Sequence, residues 1–212
     1  MSGAMASPGR LARRLSNRAG RPLAEWAYWA IGAAIVVLLV AAALRRLWAV
    51  DSDIWEHAAV VRELERHPFR PGHPLMALDA PHSFFSPYAL AVGIVARLTP
   101  LSAADALALA GPANVALLLF ALFAFVRRFS ARPGAPLLAL AFSLLLWGPD
   151  PWFYSSFLHL RALPYVAAYP ATFTKAIALL ALVLAARIFT APHARLLSLT
   201  VLSLLAATVL LT

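Results

Sequence analysis

Six apolar stretches, at about 26–44, 84–99, 103–127, 134–149, 172–189 and 195–212, constrain this chain more than any other feature. A helix of roughly 17–25 apolar residues matches the hydrocarbon core of a bilayer. The composition agrees with that solvent, since 62% hydrophobic residues, 13% charged residues and a mean hydropathy of +0.78 lie far from the usual soluble mix. The expected fold is all-α: a polytopic transmembrane helical bundle.

Charge distribution orients the expected bundle. Arg10, Arg13, Arg14, Arg18 and Arg21 precede the first apolar run, which favours a cytoplasmic amino terminus and makes the basic excess topological rather than nucleic-acid binding. The run from Trp26 to Leu44 exceeds a signal-peptide core of about 7–15 residues, so an uncleaved anchor is expected. Residues 1–22 read as a disordered basic cytoplasmic tail, and residues 23–212 as one transmembrane module. The chain has no cysteine, so disulfides and thiolate metal sites are excluded.

If all six runs crossed, Arg127, Arg128 and Arg132 would face outward, against the preference of short basic loops for the cytoplasm. The conflict disappears if 84–99, interrupted by Pro87, Gly93 and Arg97, lies along the outer interface. Five spans then remain, with external loops at 45–102 and 148–169. Arg45 and Arg46 are left at the outer end of span 1, where they can snorkel or meet lipid phosphate.

The first external loop concentrates the polar chemistry. Six of the nine acidic residues and four of the six histidines lie between Asp51 and His82, and the sequence Asp51-Ser52-Asp53-Ile54-Trp55-Glu56-His57 follows directly on span 1. Ile54, Ala58, Val61 and Leu64 recur at helical spacing, which predicts an amphipathic interfacial helix over about 53–67. Asp53, Glu56 and His57 share one turn of it. Pro68, Pro71 and Pro74 end it.

These features, in this order, resemble the GT-C superfamily of membrane glycosyltransferases. Asp51-Ser52-Asp53 matches the place of the family's first acidic motif, His82 to Tyr88 resembles the proline-containing lead-in to a juxtamembrane helix, and Gly148 to Pro170 looks like the second external loop. The resemblance covers about residues 24–212. Where several relatives carry a carboxylate at the end of that loop, this chain has Tyr169-Pro170, and its acid there is Asp150.

The resemblance implies transfer of a sugar from a polyprenyl-phosphate-linked donor to an extracytoplasmic glycan, lipid or protein acceptor, on the outer face of an inner cell membrane. Asp51 is the first candidate for general base and Asp53 the second, and the pair can also share a divalent cation through oxygen. Arg161 is the candidate partner of the leaving phosphate, with His159 beside it. Glu56, His57, His82 and Tyr165 are the further substrate-binding candidates, and Trp152, Phe153 and Tyr154 can line a sugar or prenyl groove. Full-length relatives are longer, so the sequence reads as an amino-terminal portion, inactive alone.

Plainer readings compete at each position. Two acids after a span also suit a helix start, where the dipole favours negative charge. His57, His67, His73 and His82 have no compact zinc spacing and read as loop or surface residues, and Trp152, Phe153, Tyr154 and Tyr165 suit an interfacial belt. A transporter is the rival class, weakened because the acids lie outside the spans and only Gly111-Pro112 interrupts one. A non-catalytic scaffold of cell-envelope polymer assembly is the other alternative. No nucleotide loop, metalloprotease or serine-hydrolase motif is present.

Overall fold

The computed structural model describes residues 8–46, 53–78, 80, 82–146, 148, 158–190 and 196–212, with side chains from residue 23 onward. Eight helices occur among the described residues: α1 (Pro8–Leu44), α2 (Asp53–Arg66), α3 (Pro87–Leu98), α4 (Ala103–Phe129), α5 (Ala135–Leu145), α6 (Leu163–Val166), α7 (Pro170–Thr190) and α8 (Leu196–Leu211). The expected all-α class holds.

Among the described residues three helical segments are long and apolar enough to cross a membrane: Leu23–Leu44, Ala103–Phe129 and Pro170–Thr190. The expected spans 134–149 and 195–212 are shorter as helices. At about 1.5 Å per residue, α5 with 11 residues and α8 with 16 rise less than the roughly 30 Å of a hydrocarbon core. α1 also departs from expectation, because its backbone is helical from Pro8 and so runs through most of the segment read as a disordered tail. Leucine, alanine and arginine, frequent in residues 8–19, favour helix, and the backbone continues the span backward through them.

The long helices have a defined polarity. α1 runs antiparallel to α4: Glu25 lies 3.7 Å from Arg127, and the buried Tyr28 hydroxyl donates to the Leu119 carbonyl at 2.6 Å. α7 runs parallel to α4, since Arg128 at the end of α4 donates to Ala186 O at 3.0 Å and to Thr190 Oγ1 at 2.7 Å at the end of α7. Arg128 thus ties the last turn of α4 to the last turn of α7. The ends of α4 and α7 and the start of span 1 therefore gather at one arginine-rich face.

At the opposite end, α2 and α3 pack across the start of α4. The α2 face predicted from its periodicity is the buried one: Ile54, Ala58, Val61 and Leu64 join Tyr88, Val92 and Ala96 of α3 and Ala103, Ala106 and Leu107 of α4 in or beside one core. α3 is a short helix, started by the Ser86 cap on the Ala89 N–H and by Pro87. Its exposed face, Ala91, Ile94, Val95 and Leu98, is apolar too, as expected of a helix lying against lipid. Arg46 follows α1 with a left-handed backbone (φ 55°) and pairs with Asp105 at 3.2 Å, while Ser102 caps α4 and donates to the same carboxylate.

Candidate functional site

The end of the bundle away from the arginine face brings the two expected loops together. Asp53, Glu56 and His57 occupy the first turn of α2, whose dipole favours the two carboxylates there. The His57 ring stacks on Phe84, with centroids 4.6 Å apart and planes 7° from parallel, and meets the edge of Tyr169 from the second loop at 4.9 Å.

His82 turns toward the same corner. Its Nδ1 accepts the Phe84 N–H at 3.3 Å, which leaves Nε2 to face Glu56 Oε1 at 3.6 Å. With Nδ1 accepting, the ring proton sits on Nε2, on the side of the Glu56 carboxylate. The His82 ring is largely buried, against His73 at 4.8 Å and Phe84 at 5.2 Å, so its orientation is held from several sides. The arrangement holds a carboxylate and a fixed imidazole side by side. Asp51, Asp150, Trp152, Phe153 and Tyr154 lie outside the described residues.

A buried network places Tyr169. The Tyr88 hydroxyl donates to Ala168 O at 2.6 Å, and the Asn114 amide donates to Tyr88 Oη and to Ala167 O, each at 3.0 Å. Burial pushes the Tyr88 phenol up to about 12, with the Asn114 amide opposing, so the hydroxyl stays a donor. Gly111 completes the junction: a Cβ there would lie 3.2 Å from Ala168 N and 3.3 Å from Ala167 Cβ. The chain before Tyr169 is therefore clamped between α3 and α4.

The other second-loop candidates lie elsewhere. His159 is 3% exposed and both its nitrogens serve the backbone, Nδ1 accepting from the Arg161 N–H at 3.1 Å and Nε2 meeting Gly148 O at 2.7 Å. It fastens the loop rather than presenting a free nitrogen to substrate. Arg161, two residues on, is exposed. Tyr165 faces a small apolar recess with Leu39, Ala42, Ala43, Ile54 and Pro112, away from His57 and His82.

His73, Phe84, Tyr169 and Asn114 are not among the expected site residues. His73 stands in the histidine-rich window and reads as a loop residue, Tyr169 stands at the end of the second loop, and Asn114 is a polar residue inside an apolar span. Among the described residues no group of three histidine, aspartate or glutamate side chains could hold a metal ion. Asp53 is the described half of the proposed cation pair.

A second polar anchor shapes the loop after α2. Partial burial opposes ionisation of Glu63, but the Gly72 N–H at 2.8 Å, His67 at 3.0 Å and the nearby Arg66 outweigh it and hold the carboxyl below its ordinary value. A lowered folded-state pKa means that this anchorage is present above the ordinary glutamate range and is lost as pH falls through the depressed value. Amide exchange at Gly72 is therefore expected to stay slow, relative to its intrinsic rate, near neutral pH and to accelerate once the pH falls below the ordinary glutamate range. Glu63→Gln should abolish that acid-dependent step, and an unchanged profile in this variant would assign the step elsewhere.

Comparison with protein-family models, curated protein sequences and solved structures returned no match.

Proposed function

We propose that the chain carries out glycosyl transfer at a membrane surface, from a polyprenyl-phosphate-linked sugar to an acceptor hydroxyl. The observation that supports this best is the meeting of the two expected loops: the acid- and histidine-bearing start of α2 lies against Tyr169, with His57 and Tyr169 ring centroids 4.9 Å apart. That meeting suits a site built from the two external loops, whereas transporter sites usually lie near the bilayer midplane. α4 also continues as one helix through Pro112, unlike the broken helices that build transporter sites.

In the proposed reaction the acceptor oxygen bonds to the anomeric carbon as the bond to the lipid phosphate breaks. The acceptor proton passes to Asp51, with Asp53 as the second candidate, and the departing phosphate takes the bonding electrons. Glu56, His57 and His82 line the reacting corner, and Arg161 is the proposed partner of the phosphate. General-base assistance of this kind is worth about 10²–10⁴-fold. No step requires the divalent cation that Asp51 and Asp53 could share.

The test is sugar transfer in vesicles containing the complete protein of which this sequence is read as the amino-terminal portion, supplied with polyprenyl-phosphate sugars and a hydroxyl acceptor. Asp51→Asn is expected to lower turnover by at least about 10²-fold with membrane insertion unchanged. Wild-type turnover in that variant would remove Asp51 from the chemistry, and no transfer by the wild type would remove the reading. The orientation has its own check. With the arginine-rich face cytoplasmic, Ser130→Cys should stay unlabelled by an impermeant thiol reagent added outside, and labelling would invert the bundle.

A further inference from the structure

The face of α2 turned away from the core borders a groove whose residues the reacting corner does not use. Trp55, Ala59, Arg62 and Arg66 follow at intervals of four, three and four residues, so they form a single stripe along the helix. Trp55 is 52% exposed, and Arg62 and Arg66 are exposed. Ser102 to Ala104, at the start of α4, also line the groove. Its volume is about 690 Å³, within the roughly 300–1,000 Å³ typical of ligand sites. The two apolar recesses between the helices measure about 30 and 10 Å³ and are too small for a sugar ring.

The chemistry of the groove is mixed. Among the described residues neither Arg62 nor Arg66 makes an ion pair, and Arg66 acts on Glu63 only through space. Glu65 also lines the groove and adds an acceptor. A phosphate headgroup needs donors alone and would be repelled by Glu65. A sugar hydroxyl both donates and accepts, so guanidinium and carboxylate together suit it, and the half-exposed indole offers a flat apolar plate for a ring face. The residues suited to lipid, Ile94, Val95 and Leu98, are on α3 instead.

We propose that this groove binds a saccharide chain, laid along α2 with Trp55 as its stacking platform, and that the bound chain is the acceptor. The acceptor role rests on the transfer reading above; the binding of saccharide does not. The stripe from Trp55 to Arg66 is about 16 Å long, enough for a few rings. Trp55 lies in the first turn of α2 with Asp53 and Glu56, roughly 100° around the axis from Glu56, so the chain end at Trp55 is level with the acidic turn along the helix.

Saturation-transfer NMR on the full chain in phosphatidylcholine nanodiscs tests this, with linear hexamers of glucose, mannose, arabinose and galacturonic acid as probes. At least one hexamer should give signal, reduced tenfold or more by Trp55→Ala and by Arg62→Gln but retained in Ala91→Val on the lipid-side face of α3. No signal from any hexamer, or equal signal in Trp55→Ala, overturns the proposal. So does Arg62-dependent binding to phosphatidylglycerol vesicles without saccharide signal, which would assign the stripe to headgroups. Saccharide binding by a protein that transfers no sugar leaves the groove standing and removes the acceptor role. Transfer that persists in Trp55→Ala, with no hexamer bound by the wild type, removes the groove and leaves the chemistry.

Discussion

Gly93→Val is expected to destabilise the chain by about 3 kcal/mol, at the upper end of what overpacking a close contact costs. A Cβ at position 93 would lie 3.1 Å from the Glu65 nitrogen and from Leu64 Cβ, and 3.2 Å from the Leu64 carbonyl carbon. Two of those three atoms are backbone, so no rotamer change can make room, and α3 would have to lift from α2. Arg97, which donates to Glu65 O at 3.3 Å, would be drawn away with it. Thermal unfolding in detergent should show a midpoint lowered by roughly 5–10 °C. Ala91→Val, on the exposed face of the same helix, separates packing from β-branched propensity. Equal losses in the two variants would mean that the α2–α3 crossing is not the cause.

The second large effect is expected at Asn114. Asn114→Leu removes both donors that reach Ala167 O and Tyr88 Oη. It leaves a buried carbonyl short of a partner, at a cost of about 2 kcal/mol. Tyr88→Phe removes the donor to Ala168 O in the same network, so the double variant should lose less than the sum of the two singles. The coupling can be read from unfolding midpoints. The functional consequence should exceed the thermal one, because Ala167 and Ala168 lead directly into Tyr169 and its contact with His57. Additive losses would show the two hydrogen bonds to be independent.

What the sequence disclosed follows from the range of the interaction involved. The buried face of α2 was legible because Ile54, Ala58, Val61 and Leu64 repeat with the helix period. The shortness of α3 was legible because Pro87 and Arg97 bracket it. The contact of Tyr169 with His57 was not, since it joins distant segments through a hydrogen-bonded junction that no local pattern encodes. His159 misled for the opposite reason. A histidine two residues from an arginine suggests an anion site, yet its two nitrogens are taken up by nearby backbone groups of its own loop. The helical start at Pro8 and the brevity of α5 were also hidden, because composition describes the solvent a segment prefers and not where its helix begins or stops.

The shared direction of α4 and α7 bears on assembly. Parallel neighbours cannot be joined by a tight turn, so the chain between them must travel the length of the bundle before α7 can descend beside α4. During synthesis, Arg128 emerges long before Ala186 and Thr190, the groups it will bind. Tyr169, immediately ahead of α7, gains its fixed place against His57 only once that helix has docked. The corner where His57 meets Tyr169 is thus completed late, and an α2 helix formed early waits with its acids in place but its second wall missing.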